Sequence, residues 1–552
     1  IEQKQTNKME VKNEDTPSRP TRRRLKTSRY EFSFLENEEQ RLIQQALKIS
    51  KKDTKRVIID HPEAPVFYPT FEQFQDPIEF ISSIREKAEP FGICKIVPPS
   101  EWKPNCQINF QNPMKVPTKK QNIHSLQEGL GFDDGRKFTI QEYKNMADQF
   151  YKNWIDKYHN GNPNISLDEL AKDYWDIVET GSKKAVVEYA NDIDTQKYSS
   201  GFPCLHNPKN LPLSPKPDSD LPFKPDPETK ESFTLDHSFY EKTAWNLTNL
   251  PKSEGSALKF VESPISGITV PWLYIGMLFA SFCWHIEDNN FYSMNYSHFG
   301  AVKQWYGVPG SASAKFEKVA KDFLLGSFRE SPDLLHHMTT QVSPSLLAAN
   351  GVPVYKVTQE PGCFIITFPS AFHAGFSYGF NCGEAVNFAS LDWLKAGGEA
   401  EKRYRIYGRE SVFSHQRLLF TLLKNHESLP KKTCLATLGQ EALNVIEEEI
   451  EARPILKEYG VRDLSSIISL VPNDFSKFCR KAADFDDLRS CCICKTYCIF
   501  SAIACECDKS KVACTRHFTS MCKCPKDRRF MLSWASLENL EEIRKDAKNL
   551  IK

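Results

Sequence analysis

Polar and charged positions dominate the first 30 residues, and a periodic pattern appears only after them. From Phe34 to Lys51 the acids Glu36, Glu38 and Glu39 precede Leu42, Ile43, Ala46, Leu47 and Ser50 at helical spacing, which predicts an amphipathic helix with acids at its N-terminal end. Residues 62–103 carry two extended runs, Pro65-Val66-Phe67-Tyr68 and Gly92-Ile93-Cys94-Lys95-Ile96-Val97, around a helix from about Phe71 to Ala88. Residues 110–200 read as mainly helical and 203–235 as a Pro-rich loop. From 240 to 395 the pattern turns aromatic and β-branched with frequent Gly and Pro, predicting many short strands. Helical periodicity returns from Gly397 to Asp487, as in Ala442-Leu443-Val445-Ile446-Ile450. A Cys-rich segment at 491–524 and a charged C-terminal helix follow.

At 552 residues the chain exceeds a single core, and domains of about 100 to 200 residues imply three or four units. The balance of 72 basic against 71 acidic residues excludes a domain-wide basic field, so nucleic-acid contact is expected to be local. The basic knot Arg19, Arg22, Arg23, Arg24 and Lys26 reads either as a solvated linker or as a nuclear-import or nucleosome-contact segment. The longest apolar stretch, Ile268 to Trp284, is interrupted by Pro271 and runs into His285, Glu287 and Asp288. It is shorter than the roughly 20 residues of a membrane helix and reads as core strands. With no secretory pattern at the N-terminus, an intracellular chain is expected. Its 17 cysteines then stay reduced, and the clustered ones are metal ligands rather than disulfides.

In Trp284-His285-Ile286-Glu287 the imidazole and carboxylate are two apart, so on an extended strand they share a face. A lone His-x-Glu is common decoration. Here, however, the apolar run Phe364-Ile365-Ile366-Thr367-Phe368-Pro369 delivers His373 in a Gly-punctuated turn. Two imidazoles and one carboxylate form the facial triad of non-heme iron, leaving positions open for the keto-acid end of 2-oxoglutarate and for dioxygen. The distal carboxylate of that co-substrate needs a cation. Lys303, in Gly300-Ala301-Val302-Lys303-Gln304-Trp305-Tyr306-Gly307, is expected to be partly buried and to want an anionic partner.

The stretch Val270 to Gly310, with Phe282-Cys283-Trp284-His285-Ile286-Glu287-Asp288 and Asn295-Tyr296, closely resembles the JmjC histone lysine demethylases. So does Pro361 to Trp393, with Phe372-His373-Ala374-Gly375-Phe376 and Asn381 to Phe388. Residues 62–103 resemble the JmjN domain that packs against that barrel. The resemblance implies a mixed α and β chain with a double-stranded β-helix (jelly-roll or cupin) core. It also implies Fe(II) at His285, Glu287 and His373, and 2-oxoglutarate held by Tyr189 and Lys303. Asn295 and Ser293 would assist, while Phe282 and Trp305 wall the pocket. Gly267, Tyr274, Ala385 and Asn387 match positions around the methylated ammonium group, although Tyr274 also reads as a core aromatic. Oxidation with O2, supported by ascorbate, requires no nitrogen lone pair, so a trimethylated lysine is acceptable.

Cys491-x-x-Cys494, Cys505-x-Cys507, Cys514-x-x-His517 and Cys522-x-Cys524 supply eight ligands in four pairs, enough for two tetrahedral zinc ions. Alternation of the pairs suggests interleaving: Cys491, Cys494, Cys514 and His517 on one ion, and Cys505, Cys507, Cys522 and Cys524 on the other. Cys492 and Cys498 are then spare thiols. The arrangement resembles the C5HC2-type finger after the catalytic domain of the JARID subfamily, which acts on lysine 4 of histone H3. Lysine 27 stays open, as does an inactive chromatin-complex subunit. The helix at 34–51 resembles a ubiquitin-interacting motif and also reads, more simply, as an ordinary surface helix.

The expected layout is 1–60 tail and helix, 61–105 JmjN-like, 106–235 helical segment and linker, and 236–395 catalytic. A helical domain at 396–488 and the finger with its C-terminal helix at 489–552 complete it. The implied setting is the nucleus, with a methylated H3 tail on the nucleosome as partner, ubiquitin as a candidate, and no membrane.

Overall fold

The computed structural model describes residues 60–129, 131–204, 236–324, 339–430, 435–463 and 489–552. The basic tail, the helix at 34–51, nearly all of the Pro-rich loop and the end of the 396–488 segment lie outside the described residues. No helix among the described residues is long and apolar enough to cross a membrane.

The N-terminal described part begins with strand β1 (Val66–Phe67), helix α1 (Pro77–Ala88) and strand β2 (Ile93–Ile96). The Asp76 carboxylate caps α1 by accepting from the Ile78 and Glu79 amides, and Pro77 occupies the first turn. Ile78, Phe80, Ile81, Ile84 and Ala88 are buried on the inner side of α1.

Residues 110–200, expected to be mainly helical, instead mix strands and helices: β3 (Val116–Asn122), β4 (Phe132–Phe138), α2 (Ile140–Tyr158), α3 (Leu167–Thr180) and β5 (Val186–Asp194). The hydropathy pattern hides β3 because two of its buried positions, Thr118 and Gln121, are polar. Most of β4 is charged and lies at a sheet edge, where exposure costs little. Capping boxes at Thr139–Glu142 and Ser166–Glu169 start α2 and α3.

Eight strands then build the core: β6 (Trp272–Gly276), β7 (Ser281–His285), β8 (Tyr292–Gly300), β9 (Lys303–Val308), β10 (Tyr355–Gln359), β11 (Phe364–Thr367), β12 (Phe372–Ser377) and β13 (Asn381–Phe388), with helix α4 (Ser313–Phe323) between β9 and β10. One sheet has the order β10-β9-β12-β7; the other contains β11-β8-β13-β6. Along the chain β6, β8, β11 and β13 fall in one sheet and β7, β9, β10 and β12 in the other, which is a double-stranded β-helix. The larger sheet is extended at both edges. On one side β2 pairs antiparallel with β11 and carries β1; on the other β5 pairs with β6 and continues to β3 and β4, giving nine strands. The JmjN-like segment thus closes an edge that would otherwise expose unpaired backbone.

Helices α5 (Leu394–Tyr407), α6 (His415–Lys424) and α7 (Leu435–Glu458) follow the barrel. The finger consists of β14 (Arg462–Asp463), β15 (Ser501–Cys505), β16 (Asp508–Ala513) and β17 (Arg529–Ser533), and α8 (Leu537–Ile551) ends the chain. Its sheet order is β14-β17-β15-β16. Phe420, Leu443, Ile446, Tyr497, Ile499 and Leu540 form one buried cluster that joins α6, α7 and α8 to the finger.

Candidate active site and metal clusters

His285 and His373 are register partners across β7 and β12, so a sequence separation of nearly ninety residues collapses to one cross-strand pair. Their ring centroids are 4.2 Å apart. Each Nδ1–H donates to a carbonyl two residues back in the chain, His285 to Cys283 at 2.7 Å and His373 to Ala371 at 3.2 Å. That fixes both ring orientations and leaves Nε2 as the ring atom that can ligate a metal. His373 Nε2 lies 3.3 Å from Glu287 Oε1. The three potential ligand atoms of His285, Glu287 and His373 all fall within 4.8 Å of one another.

Burial would raise the Glu287 carboxyl, but His373, His285 and the Asn387 amide together bring it down to about 2. A carboxylate held ionised beside two imidazoles is a donor set that fits a divalent cation with an open coordination face. The opposite Glu287 oxygen accepts Asn387 Nδ2–H at 3.1 Å, and the same amide group also donates to Tyr292 O at 3.2 Å. Asn387, expected beside the methylated ammonium, is found bracing the Glu287 carboxylate.

Between the sheets lies Lys303 on β9, 8% exposed. Its Nζ sits 6.0 Å from the Tyr274 ring centroid and 5.8 Å from that of Phe282. Burial brings its pKa down to about 8, and the only opposing influence is Cys382. No carboxylate of the described residues pairs with it, so the buried ammonium over these aromatic faces is suited to binding an anion.

The walls are built from both sheets. Phe282 and Trp305 stand 4.5 Å apart, and Gly375 lies beside both in the strand register. A Cβ at Gly375 would sit 2.5 Å from the Phe282 ring and 2.0 Å from Gln304 O, so only glycine permits that approach. Trp305 Nε1–H donates to Gln359 Oε1 at 2.9 Å, and Gln359 Nε2–H donates to Asn295 O. Asn295 Nδ2–H donates to Ser293 Oγ at 3.1 Å, which is 2.6 Å from Thr367 Oγ1. Tyr189 on β5 is buried, its ring 6.3 Å from Tyr274. Ala385 pairs with Asn295 and Trp272 in β13. Gly267 (φ 80°) packs directly on the Trp272 ring.

Thr367 and Gln359 join this pocket without having been singled out in the sequence. Thr367 ends an apolar run and reads there as core. A period-two reading of β11 from the barrel interior is the one signal that could have found it.

The eight finger ligands form the two sets that alternation of pairs suggests. In the first, Cys494 and Cys514 sulfurs are 3.8 Å apart, and His517 Nδ1 lies 3.7 Å from Cys491 Sγ and 3.3 Å from Cys514 Sγ. A tetrahedron with Zn–S bonds of about 2.3 Å has edges of about 3.8 Å, so this cage fits zinc. Cys505, Cys507, Cys522 and Cys524 make the second set, and Cys492 and Cys498 belong to neither.

Family profiles match at residues 65–98 (jmjN domain), 272–388 (JmjC domain, hydroxylase) and 491–543 (C5HC2 zinc finger). Lysine-specific demethylase JMJ703 of Oryza sativa subsp. japonica is 37% identical over 525 residues, covering 87% of this chain and 40% of that protein. Lysine-specific demethylase JMJ17 of Arabidopsis thaliana is 40% identical over 402 residues, covering 73% and 30%. Lysine-specific demethylase 5B of Gallus gallus is 35% identical over 433 residues, covering 78% and 25%. The chain spans less than half the length of these relatives.

Proposed function

We propose that this chain, which carries JmjN, JmjC and C5HC2 zinc-finger domains and is homologous to lysine-specific demethylases, is an Fe(II)- and 2-oxoglutarate-dependent histone lysine demethylase. The observation that carries the reading is an open three-ligand cluster joined through the Trp305 and Phe282 rings to a buried lysine that no carboxylate of the described residues pairs with. His285, Glu287 and His373 would hold the iron, and Lys303 with Tyr189 the distal carboxylate of 2-oxoglutarate. Iron bound there supplies oxidation of an N-methyl group by dioxygen, with the co-substrate as electron source.

The protein's own contribution is positional. Ser293, Asn295 and Thr367 form one hydrogen-bonded strip along the larger sheet, which orients the co-substrate against Phe282 and Trp305. The aromatic walls exclude water, which strengthens the lysine–carboxylate attraction. Gly267, Tyr274 and Ala385 would border the methylated ammonium group, with Asn387 linking that wall to Glu287.

Lysine 4 of H3 is the favoured substrate, because the C5HC2 finger after the barrel resembles the JARID arrangement, and the setting is then nuclear chromatin. Mass spectrometry of methylated H3 peptides incubated with the protein, Fe(II), 2-oxoglutarate and ascorbate tests this. Stepwise loss of methyl groups from the lysine-4 peptide is expected. Loss from the lysine-27 peptide alone would reassign the substrate, and inactivity on every peptide would favour a non-catalytic chromatin subunit.

A further inference from the structure

The turn that follows Glu287 is held from outside the barrel. Asp288-Asn289-Asn290 links β7 to β8, with Asn289 (φ 50°, ψ 24°) and Asn290 (φ 52°) both in the left-handed region. Asparagine tolerates that region better than most residues, yet a neighbouring pair there needs outside support. Asn290 N–H donates to Glu287 O at 3.0 Å, so the turn is bonded directly to the backbone of the carboxylate ligand.

Asn289 is fully buried, and each of its polar atoms is taken up by the segment 393–411. Its N–H donates to Tyr404 Oη at 2.8 Å, and its carbonyl accepts Trp393 Nε1–H at 2.9 Å. Its Nδ2–H donates to Ser411 Oγ at 2.8 Å, and that hydroxyl donates back to Oδ1 at 3.1 Å. Asn290 Nδ2–H donates to Ala396 O at 3.0 Å, and Arg409 lies 3.7 Å from Asp288.

Ser411 is gripped in turn by the finger: its carbonyl accepts the Tyr497 hydroxyl at 3.1 Å. Tyr497 belongs to the loop of the first cysteine cluster. The Thr496 carbonyl accepts Cys491 N–H at 2.8 Å, and Thr496 Oγ1 lies 3.4 Å from Cys494 Sγ. Lys495 adds a 3.5 Å ion pair with Glu410, next to Ser411.

We propose that Asn289 is a positioning residue for Glu287, and that the two-zinc finger sets how firmly the catalytic triad holds its metal through the Tyr497–Ser411–Asn289 hydrogen bonds. The proposal rests on His285, Glu287 and His373 being the metal ligands. A carboxylate on a pinned turn loses less freedom when it binds a cation, and groups behind a ligand tune affinity by about 10- to 100-fold. None of these three residues is itself a ligand, so each acts through the turn.

Mn(II) is a suitable probe, because it prefers oxygen and nitrogen donors and leaves thiolate cages to zinc. Free Mn(II) is followed by electron paramagnetic resonance as it is titrated into the full chain, with zinc content measured in parallel. Tyr497→Phe removes one hydroxyl and keeps the ring in its apolar cluster with Phe420 and Leu443. It and Ser411→Ala should each weaken Mn(II) binding by about 3- to 10-fold at unchanged zinc content, and the double variant should be no worse than the weaker single, as for one shared path. Asn289→Gly keeps the left-handed backbone without strain and should cost about 10-fold or more. Wild-type Mn(II) affinity in Ser411→Ala and Asn289→Gly would overturn the proposal, even if Tyr497→Phe disturbed the finger. His285→Ala is the reference arm: if it still bound Mn(II) tightly, the ligand assignment itself would fall, independently of the relay.

Discussion

The barrel and the finger each gather metal-ligating side chains, and they do so in opposite ways. In the barrel, two imidazoles sit opposite each other on paired strands, with a carboxylate two residues beyond a strand end. The strands are bonded and packed without help from an ion. In the finger, eight ligands come mostly from loops and short strand ends around the small core of Ile503, Val512, Phe530 and Met531. There the cages tie together segments that have little else to bury. Three donors on a self-supporting scaffold leave room for chemistry; four donors in a closed cage leave none and contribute fold instead. The same kinds of donor would therefore serve reaction in one region and construction in the other.

The sharpest way to break this contrast is to remove one ligand from each. Cys494→Ser should release one zinc ion and open the finger to protease, because structural zinc contributes on the order of 10 kcal/mol in such small domains. Native mass spectrometry and limited proteolysis of residues 489–552 would show it. Retention of both ions with a protected finger would refute a structural cage. His285→Ala should do the reverse: formaldehyde release should be abolished while stability changes by no more than roughly 1–2 kcal/mol, since what is lost is a part-buried ring and its hydrogen bond to the Cys283 carbonyl. A barrel that unfolded on this substitution would show that its metal is structural too.

Lys303 sharpens the comparison further, as a group burdened for ligand binding rather than for fold. Lys303→Met should raise KM for 2-oxoglutarate about 10- to 100-fold, the loss of a charge-assisted bond worth ~1.5–3 kcal/mol. The apoprotein should melt no lower than the parent, because a buried cation without an anion has been removed. The pH dependence has a definite sign. With Lys303 held at about 8, the folded apoprotein binds fewer protons than the unfolded chain between that value and the ordinary lysine range. Its destabilising contribution is full below pH about 8 and fades as pH rises through that window. Affinity for 2-oxoglutarate runs the other way and should fall above pH about 8, where the ammonium is lost. A pH-independent KM between 7 and 9, the span on either side of that value, would remove Lys303 from the anion site. The smallest effect is expected at Cys492, outside both cages. Cys492→Ser should leave two zinc ions bound and shift stability by only ~0.5 kcal/mol, as for other partly exposed sites away from special features.

Much of the site was legible because its chemistry needs particular residue types at short spacing. His285 and Glu287 share an HxE, and the finger ligands come in pairs two or three residues apart. The strands of 272–388 were legible from their aromatic and β-branched runs. What stayed hidden lacked a periodic apolar signal. Strands β3 and β4 carry polar or charged side chains at most positions, because β3 buries Thr118 and Gln121 through hydrogen bonds and β4 is an edge. Thr367 looked like part of a core strand, and Asn289 looked like turn material.

By itself, then, the sequence determined which donors exist, their local spacing and the class of each metal site, since those depend on side-chain chemistry within a few residues. Only the tertiary structure decided which donors meet and what stands behind them. The register that sets His285 against His373, the placing of Lys303 over Tyr274 and Phe282, and the grip of Ser411 and Tyr497 on the Glu287 turn all join positions far apart in the chain. Their relation is set by how two sheets, a helical segment and a finger pack together, and no short stretch of sequence encodes that.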